Sequence, residues 1–206
     1  MSSVSSASPR KDPSSAAISA GCCPPSVRVR AVTIDRIIAP LAEARIGNTF
    51  NQYAGSALRR ERLASYLHSH AGAPLVLVGE AAGYRGARIS GIPFTSERQL
   101  TGDGPGEATA TIVQRVLAEL GIEEQVLLWN VVPTHPHRPR EPESNRRPVR
   151  AEIEAGLPFL AEIVGGRRPI AVGRLAHSVL GGPYVRHPSH GGAGAFRAEL
   201  LELLGS

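Results

Sequence analysis

The stretch LVLVGEAAGYRGARISGIPFTSERQL, residues 75–100, decides the architecture. It opens on four apolar residues, two of them valine, a pattern that suits a strand covered on both faces. The run stops at Glu80 and gives way to Ala81, Ala82 and Gly83. These residues are too small to pack much, but they let a backbone approach a ligand closely. A Gly-Ile-Pro-Phe turn follows at residues 91–94. A buried strand that feeds such a loop belongs to an open α/β sheet, where ligands bind beyond the carboxyl ends of the strands. The loop's first turn carries no Asp, Cys, Ser or His, so any chemistry must draw on residues from elsewhere in the chain.

Working outward, helical spacing of apolar residues predicts helices over 34–46 and 53–70, before the strand at 74–79. A helix over 106–120 closes at Gly121. A second strand, QVLLWN, spans 125–130 and ends at Asn130. A Pro- and Arg-rich loop covers 133–148, then a helix 152–164, a strand 169–173, a short helix 174–180, a strand 184–187 and a last helix 193–204. Strands that alternate with helices predict a three-layer α/β/α sandwich around a four-stranded parallel sheet. Three polar stretches then meet at one sheet edge: Glu80 to Phe94, Asn130, and His187.

The chain has 206 residues, enough for one domain, here placed at 29–206 behind a Ser-, Ala- and Pro-rich tail at 1–28 expected to be disordered. No apolar run nears ~20 residues, so no membrane partner is expected. The tail lacks the apolar segment of a secretory signal, and a cytoplasmic, nucleoid-associated monomer is the expectation. The net charge is +5, but the first 30 residues hold +3 of it. A nucleic-acid footprint on the folded part must therefore be a local patch. The two cysteines, Cys22 and Cys23, are adjacent and too few to hold an iron–sulfur cluster or an all-cysteine zinc site. His135 and His137 have no Cys or Asp beside them, so neither a metal nor any other cofactor is expected.

The segments GEAAGYRG (79–86) with GIPF (91–94), WNVVP (129–133) with NRRPVRAE (145–152), AVGRLA (171–176) and RHPS (186–189) together resemble the uracil-DNA glycosylase superfamily. The nearest pattern is that of its bacterial and archaeal iron–sulfur branch, but Thr134 and Gly156 stand where that branch places cluster ligands. The resemblance implies a DNA repair enzyme that hydrolyses the N-glycosidic bond of uracil, or of a related deaminated base, flipped out of DNA. Phe94 would stack the base, which is worth roughly 1–3 kcal/mol. The Asn130 amide would read the base edge, offering both a donor and an acceptor. His187 would donate to the oxygen that becomes negative as the base departs, a role a neutral imidazole can fill. Ala81, Ala82 and Gly83 would bring backbone N–H groups to the base. In the best-known branch an Asp stands at the place of Ala81, and a Tyr that excludes thymine at the place of Gly83. Water activation must then come from elsewhere, with Glu97 as the candidate carboxylate and Glu80 as its rival, or be weak, and the pocket wall at Gly83 would be open.

For the DNA backbone, the expected contacts are Arg146 and Arg147 of the Arg-rich loop, with Ser189, His190 and Gly191 at the tip before the last helix. Two other readings remain. The chain could be a non-catalytic DNA- or lesion-binding module that kept the pocket and lost its acid. It could also act on free nucleotides, although GEAAGYRG lacks the Gly-Lys-Ser/Thr ending of a phosphate loop.

Overall fold

The computed structural model describes residues 34–205, together with Met1. The tail at 1–28 and its two cysteines lie outside the described residues. The elements run α1 (Asp35–Glu43), β1 (Thr49–Phe50), α2 (Ala57–Ser69), β2 (Leu75–Ala81), α3 (Ala87–Ser90), α4 (Glu97–Thr101), α5 (Ala108–Leu120), β3 (Val126–Val132), β4 (His135–Pro136), α6 (Arg150–Val164), β5 (Arg168–Val172), α7 (Arg174–Leu180), β6 (Tyr184–Val185) and α8 (Ala193–Gly205).

Four strands form a parallel sheet in the order β3-β2-β5-β6, with β2 in the interior as its unbroken apolar run requires. Alternate residues of each strand enter opposite cores. Val76 and Val78 join Trp129, Ala171 and residues of α1, α2, α6 and α7 on one face. Leu75 and Leu77 join Leu128, Ile170, Val172 and residues of α5 and α8 on the other. The three-layer α/β/α sandwich read from the sequence is the one observed.

Some local readings change. β3 continues two residues past Asn130, because Val131 and Val132 are β-branched and Ala81 still pairs with Val132. Asn130 therefore sits inside a strand, opposite Gly79. β6 stops at Val185, which leaves Arg186 and His187 beyond the strand end. The loop after β3 is not a free arm: His135 and Pro136 pair with Thr49 and Phe50 in a short antiparallel ladder.

Candidate active site

The carboxyl ends of β2, β3 and β5 open into a cavity of about 670 Å³. Phe94, Asn130 and His187 all line it, together with Glu80, Ala81, Ala82 and Gly83. Three segments far apart in the chain thus converge on one slot.

Gly79 sets the floor. A Cβ there would collide with the Phe94 ring and lie 2.8 Å from Asn130 Oδ1. The missing side chain is what lets the aromatic face and the amide come together. Phe94 holds a left-handed backbone, φ +50°, a conformation that costs a non-glycine residue energy and that clusters at ligand sites. Its neighbours enforce it. The Ser90 hydroxyl donates to Thr95 O at 2.6 Å, and Gln114 Nε2 donates to Phe94 O at 3.3 Å. Asn130 is 4 % exposed, yet its amide makes no hydrogen bond within the described residues. A nearly buried amide without a partner is costly unless a ligand supplies one.

His187 reaches the slot from beyond β6. Its Nδ1 accepts the backbone N–H of Ser189 at 3.2 Å and lies 2.8 Å from Ser189 Oγ. With Nδ1 occupied as an acceptor, the proton of the neutral ring sits on Nε2, leaving that N–H as a donor. Burial first, and then the neighbouring His190, hold its pKa below the usual histidine value. The ring is therefore neutral at pH 7. Its Cβ lies over Gly173, φ +90°, where a side chain would crowd it at 3.3 Å.

The loop after β2 is pinned from two sides. His135, fully buried, donates from Nδ1 to Ala82 O at 2.8 Å. Asn145 Oδ1 accepts the Tyr84 N–H at 3.1 Å. Glu80 is half-buried at the cavity wall. Burial raises its pKa, and Arg147 opposes the shift.

Glu107 is a site residue that sequence reasoning missed. It lies one residue before α5, in GPGEA, where an acidic group reads as an ordinary helix start. It lines the cavity, and its Oε1 and Oε2 occupy the space that side chains at Gly83 and Gly86 would need. The wall at Gly83 is therefore not open, as expected from the sequence, but filled by a carboxyl from another element. Burial pushes that carboxyl up to about 7.

The family model described as the uracil DNA glycosylase superfamily matches residues 67–202. The chain belongs to that superfamily. Among solved structures it is similar to SMUG2 of Pedobacter heparinus, with a TM-score of 0.65 over 84 % of this chain and 98 % of that one, at 12 % identity. At that identity the likeness bears on the fold alone. No curated protein matches the chain.

The iron–sulfur branch of the superfamily does not supply a fitting cluster site here. Thr134, fully buried, lies 2.6 Å from Thr49 through their hydroxyls. A side chain at Gly156 would strike the carbonyl of Val131, because α6 packs directly on β3.

Two residues expected at the site are engaged otherwise. Glu97 does not line the cavity; it pairs bidentately with Arg62 of α2, at 2.8 and 2.9 Å, and ties α4 to α2. Arg146 does border the cavity, but all five of its N–H groups are spent. Nε donates to His137 O at 2.8 Å, Nη1 to Glu152 and Arg147 O, and Nη2 to Glu152 and Asn48 O. None is left for a phosphate. Arg147 is exposed at the rim, where it acts on Glu80 through charge but makes no side-chain hydrogen bond or ion pair among the described residues; Arg174, the first residue of α7, which the sequence reading did not single out, is likewise exposed and makes none. Ser189 and His190 also line the cavity, whereas Gly191, at φ +75°, does not.

Proposed function

We propose that this chain is a monofunctional DNA N-glycosylase that hydrolyses the bond between deoxyribose and uracil, or a related deaminated base, extruded from DNA. The observation that carries the reading is the meeting of Phe94, Asn130 and His187 around one cavity, with an unpaired amide and a neutral imidazole facing the same space. An aromatic face, an edge-reading amide and an N–H donor are what an extruded base needs.

The base lies on the Phe94 ring, and its N3–H and O4 pair with Asn130. As C1′–N1 breaks, the base keeps the electron pair, and His187 Nε2–H stabilises the negative charge that reaches O2. Water adds to C1′ and loses a proton. Glu97 is engaged by Arg62 and burial keeps Glu107 protonated up to about 7, so of the cavity-lining carboxyls we assign that proton to Glu80. Arg147 favours its charged form against the burial that opposes it. Arg147, Arg174, Ser189 and His190 border the slot where DNA phosphates would pass.

The test is an oligonucleotide panel carrying uracil, hypoxanthine, xanthine or a thymine mismatch, run on the unaltered protein and on N130A and H187A. Alkali-labile abasic sites at the position of at least one lesion, lost in both variants, are expected. Retained binding without strand breaks after alkali overturns the enzyme reading in favour of a lesion-binding module.

A further inference from the structure

Gly83 and Gly86 flank the turn that faces Glu107. Neither has a positive φ. What excludes a side chain at both is Glu107. Its Oε1 would collide with a Cβ at Gly83, and its Oε2 with one at Gly86. The carboxyl carbon would lie 3.0 and 2.7 Å from those Cβ positions. The loop is thus cut away on the side where Glu107 enters, and the carboxyl becomes the wall there. Among the described residues the carboxyl makes no hydrogen bond or ion pair, and it does not cap α5. A half-buried carboxyl without a protein partner is left to meet whatever occupies the cavity.

Resting on the glycosylase reading above, we infer that Glu107 is the specificity wall of the base slot: it admits a pyrimidine with hydrogen at C5 and rejects one with a methyl there. A base stacked on Phe94 and paired through N3 and O4 with Asn130 has C5 next to O4, and we set that edge toward the Ala81–Gly83 loop and the Glu107 carboxyl, which line the same cavity. A methyl group pressed against that carboxyl strips its oxygens of water and returns no hydrogen bond. A C5 hydrogen leaves them solvated. The wall therefore works through polarity as well as size, unlike an aromatic wall, which acts by size alone.

The polarity claim separates the variants. Glu107→Leu fills the same volume with an apolar surface, so the methyl gains a compatible neighbour. Glu107→Gln keeps both shape and polarity. The experiment measures single-turnover cleavage of duplexes with uracil or thymine opposite guanine. We expect the uracil-to-thymine ratio to fall by roughly tenfold or more in Glu107→Leu and in Glu107→Ala, and to hold within about threefold in Glu107→Gln, the scale on which a methyl group is discriminated. Glu107→Leu guards against a collapse of the emptied space in Glu107→Ala, and circular dichroism verifies folding of each. Uracil cleavage with an unchanged ratio in Glu107→Leu overturns the inference and leaves the glycosylase reading intact. Absence of cleavage by the unaltered protein on any lesion overturns both.

Discussion

Gly79 and Asn130 stand opposite one another on adjacent parallel strands, and the space a Cβ at Gly79 would need is taken by the Asn130 amide and the ring of Phe94. The glycine is fixed by contact, since its φ is ordinary. Gly79→Ala would drive a methyl group into the ring and within 2.8 Å of Oδ1, so both must shift. Overpacking of this kind costs about 1–3 kcal/mol of stability. The functional loss should be larger in proportion, because misplacing a binding group by about 1 Å can cost on the order of 100-fold in rate. A folded Gly79→Ala protein that cleaves uracil substrate at nearly the original kcat/KM would contradict the placement of the base.

Removal of the His187 imidazole tests the donor role. Loss of one preorganised donor typically costs about 2.7–4 kcal/mol, or ~10²–10³ in kcat. His187→Ala should show that fall in single-turnover rate with little change in affinity for uracil-containing duplex. An equal loss in binding would instead assign the ring to ground-state recognition.

Glu97→Gln should leave cleavage within about twofold, since the side chain is turned toward Arg62 and away from the cavity. Its cost should fall on stability instead, about 1–3 kcal/mol, because the pair is only about one-fifth exposed on each side and the amide leaves the Arg62 cation without its counter-charge. A hundredfold loss of rate would return Glu97 to the site.

These contrasts show what the sequence could and could not reveal. The sheet was legible because β2, β3 and β5 are short, valine-rich apolar runs separated by helical periods. Phe94 and His187 stand out as chemically capable residues just past an apolar run or turn, and Asn130 as a polar residue within one. Glu97 and Glu107 could not be told apart that way. Both are acidic residues at the start of a helix, and only tertiary packing decides that one meets Arg62 while the other meets two glycines. Arg146 and Arg147 are likewise adjacent and alike in sequence. The difference is Glu152, six residues on and fully buried, which engages one and not the other.

Glu152 makes the Arg146 pair a stability element. Burial alone would raise its pKa, but Arg146 and the N–H groups of Val149 and Asn48 outweigh it and hold the carboxyl below its usual range. A depressed carboxylate contributes stability above its unfolded value near 4.5, and that stability is lost as pH falls through the folded value. Glu152→Ala should cost about 3 kcal/mol at pH 7 in denaturant unfolding, because it strands a cation whose side chain is 21 % exposed. The deficit should shrink below pH 4. A constant deficit across that range would mean that packing, not charge, is what the variant removes.

Arg147 and Arg174 carry the expectation for DNA. Each has an exposed guanidinium at the cavity rim with no hydrogen bond or ion pair among the described residues. Substitution of either by alanine should weaken binding of any duplex, damaged or not, and lower the slope of log K against log salt by about one per residue. Arg146→Ala should not show that signature on top of its loss of stability. If the slope is unchanged in both rim variants, DNA passes elsewhere.

Glu107 offers a reading in protons as well as in substrates. Its carboxyl, raised by burial to about 7, binds a proton more tightly in the folded chain than in the unfolded one, where the value is 4.5. The stability tied to the protonated form is complete below 4.5 and is lost as pH rises toward and through about 7. His187 works in the opposite direction: its lowered pKa removes stability as pH falls from 6.5. Glu80, also raised, adds to the loss on the alkaline side. Both are present in the unaltered protein and in Glu107→Gln, so the difference between the two proteins isolates Glu107. The glutamine variant should gain stability relative to the unaltered protein between pH 5 and 8, read as a growing gap in urea midpoints. The same ionisation sets a negative charge beside a departing anion. Uracil cleavage by the unaltered protein should therefore decline above pH 7, and the glutamine variant should lack that decline. Parallel stability curves would show that the carboxyl is already ionised in the folded chain and takes its solvation from the cavity.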